Sequence, residues 1–176
     1  MIVREIEEGE ISIPLFACFR RRQVVTKCWR RDGDAWVIRD DPFIDDWSGE
    51  DLEALVRCLR HTARAGGLVY GALDPCGALK GLCSVEAEPV GSRGQYLDLS
   101  CLHVSQELRG QGIGRRLFLY AADWARAKGA EKLYISSHSA AETQAFYRGL
   151  GCVDAEEIQR AHVEREPFDC QLEYRL

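Results

Sequence analysis

A glycine-rich turn separates an apolar strand from a long amphipathic helix in the second half of the chain. It reads Arg109-Gly110-Gln111-Gly112-Ile113-Gly114-Arg115-Arg116. Glycines let the backbone approach a ligand closely, and the free N–H groups at the start of a helix attract an anion. The arginines add positive charge here, although the 176-residue chain has a net charge of −5. The turn therefore predicts a phosphate or pyrophosphate site.

Two common nucleotide-binding motifs do not fit this turn. A P-loop requires Gly-Lys-Ser or Gly-Lys-Thr, but Arg115 follows Gly114. A dinucleotide fingerprint requires a third glycine at position 115 and a place in the first strand–helix–strand unit. The sequence of the turn therefore excludes a P-loop and a dinucleotide-binding fingerprint.

Strand and helix signals around the turn predict a mixed α/β fold, of the α+β kind. Strands are predicted over residues 68–73, 78–86, 95–104, 132–136 and 170–175, and helices over residues 112–128 and 139–148. The first two strands form a hairpin, whereas a helix joins the third to the fourth, which can therefore pair in parallel. We expect a mostly antiparallel central sheet with one right-handed crossover, flanked by helices, in a single domain over residues 1–176.

The N-terminal third gives weaker signals. Residues 2–6 predict a short strand and residues 11–22 a weak helix. Residues 29–47 are interpreted as irregular, with a candidate strand at Trp36-Val37-Ile38 and a turn at Asp40-Asp41-Pro42. A clear helix then follows, because Ser48 and Asp51 have capping-box spacing and Gly66-Gly67 ends the apolar stripe. Ser139 and Glu142 predict a second helix start by the same spacing. The tail from Cys152 predicts two strands.

Composition excludes several classes of protein. The apolar fraction of 46% and the charged fraction of 29% are typical of a folded chain. The acidic balance gives no global positive field for nucleic acid, and the basic run at Arg20-Arg21-Arg22 belongs to no recognisable binding module. No apolar run approaches the roughly 20 residues of a membrane span. The chain is charged from its fourth residue, unlike a signal peptide, so we expect a cytoplasmic protein.

The eight cysteines do not predict a disulfide framework or a metal site. None has Cys-x-x-Cys spacing, and the four histidines also lack ligand spacing. We expect reduced thiols that serve mostly as small core residues, and no metal.

Two segments together resemble the GNAT superfamily of N-acetyltransferases. The pattern Arg-x-x-Gly-x-Gly, here Arg109, Gly112 and Gly114, resembles its pyrophosphate-binding signature. Residues 145–152, Ala-Phe-Tyr-Arg-Gly-Leu-Gly-Cys, resemble its second signature, an aromatic-Tyr pair before a Leu-Gly turn. The order and separation of the two segments are those of the family, and the good match spans about residues 68–153.

The resemblance implies that acetyl-CoA is the co-substrate. The parallel strands would splay apart, the pantetheine arm would bond the backbone of the third strand, and the pyrophosphate would rest on residues 109–115. The family's usual pantetheine-binding asparagine is Ala140 here, so Ser137, Ser139 or Thr143 would substitute for it. The implied cofactor-binding residues are Leu102, His103, Val104, Arg109, Gly110, Gln111, Gly112, Ile113, Gly114, Arg115, Ser139, Thr143 and Phe146.

The resemblance also implies direct attack of a neutral amine on the thioester, without an acyl-enzyme. Tyr147 matches the family's general acid, the alternative being an aromatic core residue. Asp98 is the only ionisable residue in the centre of the third strand and is the candidate general base. Alternation places Asp98 on the same face as Ser100 and Leu102. Glu86 on the neighbouring strand is a second candidate, and either carboxylate could instead be a solvated or salt-bridged strand residue.

The function implied is acetyl transfer to a primary amine of a small molecule, an acyltransferase activity of the EC 2.3.1 class. Two alternatives stay open: a non-catalytic acyl-CoA-binding sensor, and a peptide or protein N-acetyltransferase. Residues 40–47 place four carboxylates around two aromatics, which either receive a cationic amine or form a solvated loop. We expect no nucleic-acid or membrane partner, and the resemblance allows a homodimer.

Overall fold

In the computed structural model, which describes residues 1–176, ten strands and four α-helices form the chain. In order they are β1 (Ile2–Glu5), β2 (Gln23–Asp32), β3 (Ala35–Asp45), α1 (Gly49–Arg64), β4 (Leu68–Leu73), β5 (Leu79–Val85), β6 (Tyr96–Asp98), β7 (Cys101–Val104), α2 (Ile113–Ala127), β8 (Lys132–Ser137), α3 (Ala141–Gly149), β9 (Val153–Asp154), α4 (Arg160–Arg165) and β10 (Cys170–Arg175). Short 3₁₀ turns cover Glu8–Glu10, Ile13–Phe16 and Gln106–Leu108.

The strands form two four-stranded sheets and a separate hairpin. The first sheet has the order β1-β4-β5-β7 and is antiparallel throughout. The second has the order β6-β8-β10-β9, in which β6 and β8 are parallel. The predicted fold class, a mixed and mostly antiparallel sheet with a splayed parallel pair, is confirmed.

The predicted third strand is two strands that belong to different sheets. The Leu99 N–H still donates to the Tyr134 carbonyl of β8 at 2.9 Å, but the Ser100 N–H donates to the Ser84 carbonyl of β5 at 3.0 Å. From this point β7 follows β5 and leaves β8. The change of partner opens a gap between β7 and β8.

The change of partner also shifts the alternation of side chains by one residue. Leu97 and Leu99 pack in the core cluster under α2, and Leu102 packs against that same cluster, whereas Cys101 packs with residues of α1. Ser100 and Cys101, two residues in succession, both point away from the cluster under α2, which marks a β-bulge at Ser100. The prediction that Asp98 shares a face with Leu102 is therefore wrong, since Asp98 shares its face with Cys101.

Two apolar clusters hold the helices against the sheets. The larger lies on the face covered by α2 and α3, where Leu117, Phe118 and Tyr147 meet the strands. The smaller lies between the first sheet and α1, where Val56 and Leu59 pack on Val69 and Leu82. Core burial on both faces fixes where β6 and β7 separate.

The two predicted helix caps have different outcomes. At α1 the capping box is confirmed, because the Ser48 hydroxyl accepts from the Asp51 N–H at 3.1 Å and Asp51 accepts from the Ser48 N–H at 2.9 Å. The predicted cap at Ser139 is wrong. Helix α3 has Ala140 at its N-cap with no side-chain cap, and the Ser139 hydroxyl accepts instead from Arg30 at 2.6 Å.

The N-terminal segment differs most from its prediction. Residues 11–22 contain one 3₁₀ turn rather than a helix. Residues 29–47 are not irregular, because β2 and β3 form a long hairpin, and the candidate strand at residues 36–38 lies within β3. Asp40-Asp41-Pro42 lies inside β3, where the register shifts between Val25 and Lys27, and makes no chain-reversing turn. The hairpin docks on the end of β8, where the Trp29 N–H donates to the Ser139 carbonyl at 2.8 Å.

The tail contains the two predicted strands, β9 and β10, and an unpredicted helix. Helix α4 has no buried residue and no side-chain cap. All eight cysteines are free thiols, and five of them are buried, as predicted for most. No helix has the length and apolar character needed to cross a bilayer.

Candidate active site

A cavity of about 830 Å³ opens where β7 and β8 diverge. One wall is residues 99–104 and the other is the end of β8 with the exposed side of α3. The glycine-rich turn closes one end, and residues 21–24, which lead into the hairpin, lie across the gap. The cavity therefore joins the anion-binding turn to the point of strand separation.

The turn has the backbone that an anion site needs. Gly110 and Gly112 have φ angles of 75° and 79°, in the left-handed region that favours glycine, and Gly112 is the N-cap of α2. Helix geometry leaves the N–H groups of the first turn, residues 113–115, without partners inside the helix. Gly114 lies against Phe146, since a Cβ on Gly114 would be 3.4 Å from that ring. A side chain here would narrow the cavity beside these donors.

Two of the three arginines of the turn, Arg109 and Arg115, line the cavity, and they have different positions. The Arg109 guanidinium donates to the carbonyls of Val104 at 3.1 Å and Arg21 at 2.6 Å, so it ties the turn to the backbone of residue 21. Burial, followed by the charge of Arg21, lowers the pKa of Arg109. Arg115 is exposed at the cavity and is the cation available to a phosphate.

Eleven of the thirteen predicted cofactor-binding residues line this cavity. Gln111 does not, because its side chain donates back to the Glu107 carbonyl at 3.4 Å. Ser139 does not either, since it is buried and bound to Arg30. Thr143 lines the cavity, as does Ser137, whose hydroxyl accepts from Gln144 at 2.6 Å.

Tyr147 lies in the cavity wall with a hydroxyl that has no hydrogen-bond partner in the chain. Its side chain is 7% exposed, and its ring packs edge-on against Phe146 and Phe118, with centroids 5.0 and 6.2 Å away. Burial raises the pKa of Tyr147 well above its ordinary value of 10. The side chain is therefore a neutral phenol that can donate a proton into the cavity.

Asp98, the predicted base, does not line the cavity. Its Oδ2 lies 2.7 Å from His162 Nε2, and Arg165 donates to the other imidazole nitrogen at 3.0 Å. Arginine can only donate, so Nε2 carries the hydrogen and gives it to Asp98. Asp98 is 8% exposed, and its Oδ1 is buried without a partner. Sequence reasoning missed His162, because a single histidine in an uncapped six-residue helix carries no spacing signal.

Ser100 is the polar side chain that the bulge turns into the cavity. Its hydroxyl lies 2.6 Å from Glu86 Oε1 and 2.9 Å from the Ser84 hydroxyl. Thr62 of α1 donates to the same Glu86 oxygen at 2.8 Å. Glu86, the second candidate base, is thus linked to the cavity through one hydroxyl group.

His103 lines the cavity as a neutral imidazole. Burial, together with the charges of Arg21 and Arg109, lowers its pKa to about 3. Its ring meets Trp47 edge-on at 4.9 Å. No group of three or more His, Cys, Asp or Glu side chains is placed to hold a metal ion.

The acidic segment 40–47 is partly neutralised by arginines. Asp41 pairs with Arg30 at 2.5 Å, and Asp45 pairs with Arg21. Phe43 packs on His138 with ring centroids 5.2 Å apart. Two of the four carboxylates therefore stabilise the hairpin.

A family model described as the acetyltransferase (GNAT) family matches residues 25–152. The chain belongs to the GNAT acetyltransferase family. The match extends the predicted range of 68–153 toward the N-terminus, so it includes most of the β2–β3 hairpin. As a GNAT protein the chain is an N-acetyltransferase, and acetyl-CoA is its acyl donor.

Solved GNAT structures share the fold over nearly the whole chain. A putative streptothricin acetyltransferase from Bacillus anthracis in complex with acetyl coenzyme A has a TM-score of 0.74 at 14% identity, covering 99% of this chain and 98% of that one. A nourseothricin acetyltransferase has a TM-score of 0.69 at 18% identity, with coverages of 98% and 95%. An aminoglycoside 6'-N-acetyltransferase complexed with coenzyme A has a TM-score of 0.56 at 15% identity, covering 73% of this chain and 81% of that one. A search of curated proteins finds no significant match.

The residues present fit the GNAT acyl donor. The N-terminus of α2, with Arg115 beside it, offers donors and positive charge for a diphosphate. The β7 edge that faces the gap has lost β8 as its partner, so its backbone groups are available to an extended, amide-containing arm. When bound, acetyl-CoA supplies an activated acetyl group as a thioester.

Proposed function

We propose that this GNAT enzyme transfers the acetyl group of acetyl-CoA to a primary amine of a small molecule by direct attack. The observation that carries the proposal is Tyr147, which lines the cavity beside the strand divergence and whose hydroxyl has no hydrogen-bond partner in the chain. A neutral phenol at this place is suited to protonate a departing thiolate. Tyr147 is therefore the general acid of the proposal.

The only thiol in the cavity wall, that of Cys101, is poorly suited to form an acyl-enzyme intermediate. Cys101 is buried, and burial raises its pKa well above the ordinary value of 9. A thiol that stays protonated is a weak nucleophile. Direct attack by the amine needs no such group and agrees with the cavity that joins both sides of the gap.

A small acceptor is supported by the size of the cavity and by the relatives. The cavity of about 830 Å³ must hold the reactive arm of the donor and the acceptor together. Proteins of the same fold are named for streptothricin, nourseothricin and aminoglycosides, all of them small molecules. Residues 21–24, where the hairpin begins, form part of the wall of this cavity.

The proposed cofactor contacts are the eleven predicted residues that line the cavity. They are residues 102–104 on β7, residues 109–110 and 112–115 in the turn and at the start of α2, and Thr143 and Phe146 on α3. Asp98 is the base that the sequence predicts. Its Oδ2 accepts from His162 and its Oδ1 is buried without a partner, so neither oxygen is open to an amine in the cavity.

The transfer balances in protons and bonds. The amine loses a proton, its nitrogen forms a bond to the acetyl carbonyl carbon, and the carbon–sulfur bond breaks. The sulfur receives the Tyr147 hydroxyl proton, and the tyrosinate is protonated again by solvent. The products are the acetamide and the free thiol.

The proposal is tested first by thermal unfolding with acetyl-CoA, using NADH and ATP as controls. A ligand at about 100 times its Kd stabilises a fold by roughly 2.7 kcal/mol, which raises the Tm of a chain of this length by about 5–10 °C. Thiol release is then followed with a panel of aminoglycosides, alkyl diamines and peptides. We expect release with small amines, whereas release with peptides alone would overturn the small-molecule assignment.

A further inference from the structure

The hydrogen bonds of Ser100 fix the direction in which its hydroxyl can relay a proton. Its single hydrogen goes to the charged Glu86 Oε1, because that contact, at 2.6 Å, is the shorter of the two. The Ser84 hydroxyl, 2.9 Å away, then donates to the Ser100 oxygen. One lone pair of Ser100 stays free, and Ser100 is exposed in the cavity wall. That lone pair can accept a hydrogen bond from an amine.

The Glu86 carboxylate, which accepts the Ser100 hydrogen bond, has no cationic partner in the chain. Seven other glutamates form ion pairs with arginine or lysine: Glu8, Glu10, Glu53, Glu107, Glu131, Glu156 and Glu173. Glu86 instead accepts two hydroxyl groups on Oε1, and its Oε2 has no partner in the chain. A half-buried carboxylate without a counter-ion favours the approach of a cation, such as the ammonium form of an acceptor.

We propose that Ser100 binds the acceptor amine and passes its proton to Glu86, so that Glu86 rather than Asp98 is the proton acceptor of the reaction. The inference rests on the proposed function. Ser100 lines the cavity, whereas Asp98 does not line it, has one oxygen bound to His162 and has the other buried. The bulge is what brings Ser100 to this position, next to β5 and its terminal Glu86.

The relay conserves protons at each step. An N–H proton of the ammonium moves to Ser100 Oγ as the Ser100 hydroxyl proton moves to Glu86 Oε1. The amine is then neutral, Ser100 is unchanged and Glu86 is protonated. Glu86 then returns its proton to solvent. The second N–H proton is strongly acidic once the nitrogen is bonded to the acetyl carbon, and it passes to water as the amide forms, so only an ammonium acceptor depends on Glu86. Thr62 holds the carboxylate in place through its 2.8 Å hydrogen bond.

The test compares two acceptors in the full-length enzyme. One is a strongly basic alkylamine, which is an ammonium at the assay pH, and the other is a weakly basic amine that is already neutral. For Glu86→Gln we expect kcat with the alkylamine to fall on the order of 100-fold, and a much smaller change with the weakly basic amine. Ser100→Ala should show the same dependence on the amine with a smaller loss, since a water molecule can replace the hydroxyl.

Glu88→Gln is the matched control, because Glu88 is exposed two residues further on and forms no ion pair. The acetyl-CoA-induced rise in Tm checks that each variant keeps its fold and donor site. If Glu86→Gln does not fold, Ser100→Ala decides by the same comparison of amines. Equal losses with both amines, or a larger amine-dependent loss in Asp98→Asn, would overturn the assignment of Glu86. A wild type that binds acetyl-CoA but acetylates no amine would overturn the proposed function itself.

Discussion

His162 Nε2 on α4 donates a hydrogen bond to Asp98 Oδ2 on β6 across 2.7 Å, and the other oxygen of this buried carboxylate has no partner. Removal of the imidazole would leave the carboxylate without any donor, which costs about 1–3 kcal/mol. We expect His162→Ala to lower the free energy of unfolding by this amount in urea titrations. His61→Ala, on the exposed side of α1, should change it little, and equal effects would contradict the role of the pair.

Gly112→Ala should weaken acetyl-CoA binding beyond its effect on stability. Gly112 has a φ of 79° and Gly129, at the other end of α2, has a φ of 85°, and neither has an atom within 4 Å of an added Cβ. Both alanine variants should therefore lose roughly 1 kcal/mol of stability from backbone strain. Only Gly112→Ala should reduce the acetyl-CoA-induced rise in Tm, because only Gly112 lies in the cavity wall. A similar reduction in Gly129→Ala would argue against a site at the turn.

Tyr147→Phe should lower kcat by about 100-fold while the KM for acetyl-CoA and the Tm stay nearly unchanged. The hydroxyl has no partner in the chain, so its removal leaves no polar group unsatisfied. Because burial keeps the pKa of Tyr147 far above 10, loss of its proton should not limit the rate below pH 10. The control is Tyr120→Phe, at an exposed tyrosine on α2. Unchanged turnover in Tyr147→Phe would remove this residue as the acid.

Glu107→Gln should lower stability at neutral pH but not in strong acid. Burial alone would raise the pKa of Glu107, but hydrogen bonds from Lys80 at 2.9 Å and Ser105 at 2.7 Å outweigh it and lower the pKa to about 2. A carboxylate with a lowered pKa stabilises the fold above its unfolded pKa, here 4.5, and this contribution is lost as the pH falls toward 2.

Urea titrations from pH 7 to pH 2 measure this difference between Glu107→Gln and wild type. It should shrink below about pH 4.5 and vanish near pH 2. The exposed Glu53→Gln, whose nearest contact to Arg57 is 3.9 Å, should show no such pH-dependent difference. A constant difference at all pH values would show that packing, not charge, is responsible.

The elements around the cavity could be predicted from sequence because their signals are local. Helix α2 has an amphipathic stripe and a glycine at each end, and β4 and β5 are apolar runs around a turn. The splayed strand pair and the acetyl-CoA site were predicted from two short segments that resemble signatures of the GNAT family. The one-residue shift at Ser100 was missed, because regular alternation carries no mark of a bulge, and the cap predicted at Ser139 was wrong, because the hydroxyl binds Arg30 of the distant hairpin instead.

The hairpin and α4 could not be predicted, because contacts from distant parts of the chain stabilise them. Strand β2 is held by the Ser139 carbonyl, more than 100 residues away, and by the ion pairs of Arg21 and Arg30. Helix α4 is fixed by the hydrogen bonds of Gln159 to the Tyr134 hydroxyl and of His162 to Asp98. The role of Ser100 was hidden for the same reason, since its link to Glu86 exists only once β5 and β7 are paired.

Because of the β-bulge at Ser100, the cavity depends on the number of residues between Asp98 and Leu102. With one residue fewer there, the strand could follow β8 or β5 with unbroken alternation, and no gap would need to open between them. Substitutions in this stretch change the residues that line the cavity, whereas a single deletion would remove the bulge that separates the two strands. The segment is therefore intolerant of shortening, and an enzyme redesigned on this scaffold has to preserve the number of residues here as well as the buried side chains of Asp98, Leu99 and Cys101.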